Sequence, residues 1–382
     1  MATTVSKPRS PRSIRGAVSV GRRIQPGAHP TVELNLSWRA YWALSLGMIA
    51  VYLGVWLANF HDVYGWIMDD RYYYLKGLAT VQDWRNAFTP FNYVQTYHLA
   101  VSYLPLKLGA MLDSVPLPEF GTATGQFRLL LLFTLILHAG ILLVWAAVST
   151  KITGNRLAAA ASLLVLATSP VFIFWSPLPD SRMLGLPFFL PGWFLLHRTT
   201  LPFNIGTKRG AALRFFVIGS LFGIAQSVQY TTLYVILPVC AAYWGSWLLR
   251  HWRIARCWQS LGAFVVGCVW LAVVYEILNG VVVGIPLEYG PFMTMVERLG
   301  AHHSFWTRAG DLAIWAEIFR SQFGLPMLVA VLGGWTWYLT DSWRSRAEDR
   351  HNRLALAGAI GLGLLYLALS GSQAMFRQTS VL

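Results

Sequence analysis

Nine apolar runs of about 20 residues, separated by short polar segments rich in Arg and Lys, dominate this sequence. A helix of that length reaches across the roughly 30 Å hydrocarbon core of a bilayer. The runs fall at roughly 39–60, 127–149, 156–176, 183–199, 211–227, 230–249, 258–282, 322–340 and 354–372. An all-α, polytopic membrane protein with about nine transmembrane helices is expected.

Composition agrees. Charged residues make up only 12% of the chain and hydrophobic ones 55%, whereas a soluble domain carries about 25% charged residues. The 18 Trp and 16 Tyr gather near the ends of the runs, where amphipathic rings favour the headgroup layer. Two of the runs need separate argument. Residues 211–249 would form one helix of about 58 Å, nearly twice the membrane thickness, so a break is expected at Gln226, Gln229, Tyr230, Thr231 and Thr232. The fourth run contains Pro187 and Pro191 and is the weakest of the nine.

Charge sets the orientation. With the N-terminus inside, 20 of the 30 Lys and Arg lie on the cytoplasmic side, counting those at span ends. Of the 16 acids only Glu33, Asp341, Glu348 and Asp349 lie there. The formal net charge of +14 therefore follows from topology and attraction to anionic lipid, and does not indicate a nucleic-acid partner. Residues 1–38, rich in Arg, Ser, Pro and Gly, read as a disordered cytoplasmic tail without a signal peptide, and 39–382 as the transmembrane domain. Two external loops stand out, 61–126 and 283–321. Within the first, residues 98–112 are apolar but short and include Lys107, which fits a helix lying along the membrane surface. Cys240, Cys257 and Cys268 lack paired spacing and read as small buried residues.

The first external loop also carries the chemistry. Residues 61–79 read HDVYGWIMDDRYYYLKGLA, with Asp69 and Asp70 about nine residues beyond the first span. One reading makes the pair a helix cap, since Asp is favoured in and before the first turn. The other makes one carboxylate a general base, because adjacent acids raise one another's pKa. The two are compatible. Glu276, inside the seventh span, is suspect as an intramembrane acid, although its place near the external end lets it reach water. His302 and His303 are adjacent and poorly placed to chelate one ion together. No Gly-rich phosphate loop, Ser/His/Asp arrangement or metal-spaced His/Cys cluster occurs.

A first span, an acidic pair opening a "DDxYYYLxxLA" helix, and then "YLPLKLGAML" form the first part of an ordered pattern. Arg128, the turn Gly154–Asn155–Arg156 and "SPVFIFWSPLPDSR" complete it. In this order and spacing, over roughly residues 40–200, the chain resembles the GT-C class of membrane glycosyltransferases. It looks closest to the protein O-mannosyltransferase and lipid A aminoarabinose transferase group. The resemblance implies transfer of a sugar from a polyprenyl-phosphate carrier to a lipid, glycan or protein acceptor on the external face. It puts the base at Asp69, with Asp70 where relatives often have Glu, and the choice between the two stays open. Single displacement would invert the anomeric centre. The donor phosphate then needs cations, and Arg128, Arg182 and Arg377 are the foremost candidates, with Arg71, Arg298 and Arg308 behind them. Each could equally contact lipid headgroups. Asp180 beside Arg182 reads as a cap of the fourth span or as its ion-pair partner. A requirement for a divalent cation stays open. The rival reading from another class is a transporter or flippase for lipid-linked or small substrates, which usually shows internal repeats.

Overall fold

The computed structural model describes residues 35–58, 68–88, 95–112, 123–168, 172–173, 184–199, 208–229, 232–286, 331–344 and 347–370, with 288, 290, 293 and 329 as single positions. Among them the chain is helical throughout, with no strand. The helices are α1 (Trp38–Ala58), α2 (Met68–Gln82), α3 (Tyr103–Leu112), α4 (Ala123–Thr153), α5 (Arg156–Thr168), α6 (Leu186–Arg198), α7 (Lys208–Val228), α8 (Leu233–His251), α9 (Ala255–Leu278), α10 (331–344) and α11 (Ala347–Ser370). A 3-10 turn, Trp84–Phe88, follows α2, and π-helical segments Tyr97–Ser102 and Asn279–Val283 adjoin α3 and α9.

Among the described residues four stretches are long and apolar enough to cross a bilayer: Trp38–Ala58, Leu129–Thr153, Gly210–Val228 and Ala255–Val283. The chain is a membrane-embedded helical protein. Its outward faces fit that solvent, since Leu46, Val51, Val55, Leu213, Val266 and Ile277 are all exposed.

Local chemistry explains the helix ends. Gly154 adopts φ +69, the left-handed value that a side chain resists, and its N–H donates to Thr150 O at 3.1 Å to close α4. Asn155 then opens α5, its Oδ1 accepting from the N–H groups of Leu157 (2.9 Å) and Ala158 (3.1 Å). The Gly-Asn-Arg turn is thus a stop followed by a cap. The expected break in the long fifth run lies at residues 229–232, between α7 and α8, where Gln229 N–H still bonds Ala225 O at 3.1 Å.

Packing ties the bundle from α1 to α11. The Tyr41 hydroxyl, fully buried, donates to Ala146 O at 2.6 Å, so α1 and α4 run antiparallel. The closest helix pair is α7 with α9. A Cβ on Gly219 would overlap Phe264 O, one on Gly223 would come 2.6 Å from Cys268 O, and one on Gly267 would overlap Phe216 O. Small residues four apart let the two backbones meet, the usual source of helix association in lipid. Trp270 donates to Ser220 Oγ across this seam at 3.0 Å. A layer of aromatic rings, Phe189, Phe215, Phe222, Trp244, Trp247 and Phe264, fills the space among α6, α7, α8 and α9.

Two helices are shorter in the described residues than a span requires. α5 covers 13 residues where 156–176 was expected, and α6 covers 13, about 20 Å, where 183–199 was expected. Pro187 sits in the first turn of α6, where a missing N–H is harmless, while Pro191 lies inside the helix. The three cysteines are free, with Cys257 buried and the other two half-buried. The first 34 residues, most of loop 283–321 and the start of the eighth run lie outside the described residues.

Candidate functional site

The acid pair occupies the first turn of α2, which begins at Met68. Both residues therefore lie inside the helix and complement the positive end of its dipole. The side chains of Asp69, Asp70, Arg71 and Arg128 lie outside the described residues. Asp180, Arg182, Arg298, His302, His303, Arg308 and Arg377 lie outside them altogether.

What holds α2 in place is well defined. Tyr74 on α2, Leu106 on α3, and Leu130 and Leu131 on α4 form a small core of their own, with Leu78 and Val81 packed against it. At Gly77 a Cβ would come 2.6 Å from Leu106 Cδ1 and 3.1 Å from Ser102 Oγ, so a larger residue would force the Leu106 side chain to move. The segment expected as a surface helix at 98–112 is helical from residue 95 through 112, with a π-helical portion over Tyr97–Ser102. One face, with Tyr97, His98, Val101 and Leu106, is buried against the bundle, and the other exposes Leu104, Leu108 and Met111. Extra backbone turns of the π type concentrate at functional sites.

Burial shapes the charges here. Half-buried Lys76 has its pKa lowered by desolvation, and the Tyr74 hydroxyl has its pKa raised by the same cause. His98, fully buried, is pushed down to about 3, first by desolvation and then by the charge of Lys76. Its ring is therefore neutral near pH 7, with the charge of Lys76 working in the same direction as burial.

Beside α2, three distant parts of the chain meet. Thr96 Oγ1 lies 2.7 Å from Ser227 Oγ on α7 and 2.7 Å from the Tyr275 hydroxyl on α9. Ser227 already donates its one proton to Ile224 O at 2.8 Å. Thr96 must then donate to Ser227 and accept from Tyr275, which gives the three hydroxyls a single direction. The Tyr275 ring packs edge-on to Phe88 at 5.7 Å. Gln95, Gln229 and Asn279 are buried around this chain, and among the described residues Gln229 Oε1 and Asn279 Oδ1 are buried without a hydrogen-bond partner. The Glu276 carboxylate rests against Gly290, where a Cβ would overlap it. Gln229 and Asn279 thus place buried polar atoms at the ends of two apolar helices. Another lies deeper: His138, midway along α4, bonds Thr134 O through Nδ1 at 2.8 Å, and its Nε2 has no partner among the described residues.

Among the described residues no three His, Cys, Asp or Glu side chains gather as a metal site. Of the sequence candidates, Asp69 and Asp70 share one helix turn, and Glu276 lies on α9 next to Tyr275 of the hydroxyl chain. Reading the sequence had treated Gln229 only as a helix breaker and passed over Thr96, His98, His138, Ser227, Tyr275 and Asn279. Their signal was present as single polar residues inside or beside apolar runs, but three-dimensional convergence was needed to connect them. Compared with protein-family models, curated proteins and solved structures, the chain matches none.

Proposed function

We propose that this chain is an integral membrane glycosyltransferase of GT-C type, with nine spans and its N-terminus in the cytoplasm. It would move a sugar from a polyprenyl-phosphate carrier to an acceptor on the external face, with inversion. The observation that carries this reading is the anchoring of α2. A helix that opens with two carboxylates is held by its own small core against α3 and α4, beside a buried hydroxyl chain at the ends of α7 and α9. A base must be held still relative to a substrate delivered along the membrane, and a helix packed on the bundle meets that need where a free loop does not. Asp69 or Asp70 would take the acceptor's proton. Arg128, in the first turns of α4, would supply a cation to the donor phosphate, with Arg182 and Arg377 as further candidates.

The test uses membranes carrying Asp69→Asn and Asp70→Asn separately, assayed for sugar release from polyprenyl-phosphate donors. Loss of about 10²–10⁴-fold in one variant is the expected outcome for a general base. Unaltered transfer in both ends this reading. A transporter for lipid-linked or small substrates is favoured by a different observation, the polar atoms of Gln229, Tyr275, Glu276 and Asn279 at interrupted helix ends. Uptake of a polyprenyl-phosphate sugar by sealed proteoliposomes, with no sugar released, would support it instead.

A further inference from the structure

Between α1 and α5 lies an apolar groove of about 500 Å³, lined by Ala43, Gly47, Met48 and Val51 on one side and Leu164 and Ala167 on the other. Its floor runs along α1 from Ala43 to Val55, about 18 Å of helix, close to the roughly 15 Å depth of one leaflet's hydrocarbon. The volume is that of a ligand pocket rather than a packing defect.

One end is charged. Arg39, exposed, lies one turn before Ala43 on the stripe that continues through Gly47 and Val51. Arg156 opens α5, donating to Leu36 O at 2.8 Å, and its guanidinium stands 5.6 Å from the centre of the Trp38 ring. Lys151 Nζ stands 5.9 Å from the same ring. Arg39, Lys151 and Arg156 thus gather at or beside Trp38, about one turn of α1 before Ala43, where the apolar wall of the groove begins. Among the described residues no such cluster flanks the end lined by Trp56 and Ile173.

We infer that this groove binds an anionic glycerophospholipid, its phosphate among Arg39, Lys151 and Arg156 and one acyl chain between α1 and α5. The donor carrier of the proposed transfer reaction is a poorer fit, because its head belongs at the opposite end of the groove. The site does not depend on that reaction. The cations at the Trp38 end are what set it apart from simple lipid contact along an apolar helix face.

Native mass spectrometry of the full chain in non-ionic detergent, with phosphatidylglycerol or phosphatidylcholine added, tests the site. Gly47 lines the groove and a Cβ there meets nothing within 4 Å, so Gly47→Phe is chosen to place a ring in it. Gly47→Leu serves should the larger variant fail to purify. Wild-type protein should retain phosphatidylglycerol at least about fivefold more than phosphatidylcholine, since each cation beside an anionic headgroup contributes about that factor. Arg39→Gln should reduce that preference about fivefold, filling Gly47 should release both lipids, and Lys107→Gln on α3 should change nothing. Equal retention of both lipids by the wild type overturns the inference. So does wild-type phosphatidylglycerol binding in the filled-groove variant, which would mean surface cations alone hold it. Displacement by a polyprenyl phosphate that is indifferent to Arg39→Gln would assign the groove to the carrier and overturn it equally.

Discussion

Thr96 links the polar chemistry at the residue scale, because its hydroxyl meets both helices of the tightest pair, Ser227 on α7 and Tyr275 on α9. Thr96→Val keeps the shape, removes the proton that Ser227 accepts and leaves the Tyr275 hydroxyl with no acceptor. A stability loss of about 1–3 kcal/mol is expected, the range for a buried polar group left unmatched, read as a lowered melting temperature in detergent. His98 gives a second outcome. Its pKa lies at about 3 in the folded protein and near 6.5 when unfolded, so between those values the unfolded chain binds the extra proton. Stability should fall as pH drops through that window, by at most about 1.4 kcal/mol per unit, and His98→Gln should flatten that part of the profile. An unchanged acid limb in the variant would place the proton elsewhere. Little of this could be read in the sequence. Asp69 and Asp70 announced themselves by adjacency, whereas Thr96, Ser227 and Tyr275 are ordinary residues until the fold brings together positions 131 and 179 apart.

Elements were the most legible level, and the reason is physical. A run that must cross hydrocarbon has no alternative to helix, so α1, α4, α7 and α9 follow from apolarity alone. The break after Val228 followed from length, since no bilayer accepts a helix of about 58 Å. The short described extents of α5 and α6 did not follow, because hydropathy marks what lipid tolerates and says little about where a helix stops. Helix pairing was also hidden. Gly219, Gly223 and Gly267 occur among 33 glycines, and nothing local separates them from Gly47, which faces open space. Backbone contact at Gly267 gives a sharp expectation. Gly267→Leu would drive a side chain into Phe216 O and must part α7 from α9, lowering the yield of folded protein and breaking the Trp270–Ser220 bond. Gly262→Leu, five residues earlier on the same helix and open to space, should fold normally. Equal behaviour of the two in size-exclusion chromatography would refute the seam.

For the whole molecule the governing quantity is the placement of charge relative to the bilayer. The base of α1 and α5 gathers Arg39, Lys151 and Arg156, and the base of α8 meets α11 where Arg250 bonds His351. Asn352 donates to His197 O at 2.9 Å nearby, tying α11 to the end of α6. One end of the bundle therefore collects Arg39, Lys151, Arg156 and Arg250 from four helices, and the other carries α2, α3 and the hydroxyl chain. Cations of this kind remain in the cytoplasm because translocating them is costly, so the end holding Asp69 and Asp70 should face outward. The segment joining α6 to α7 then belongs inside. Ile205→Cys, introduced into the chain in intact cells, should resist an impermeant thiol reagent until the membrane is opened, with the wild type and its three native cysteines as background. A second cysteine at Lys107, on the exposed face of α3, should react at once from outside. Reversal of that pair would turn the molecule over, putting the acid pair in the cytoplasm, where a donor presented on the outer leaflet could not reach it.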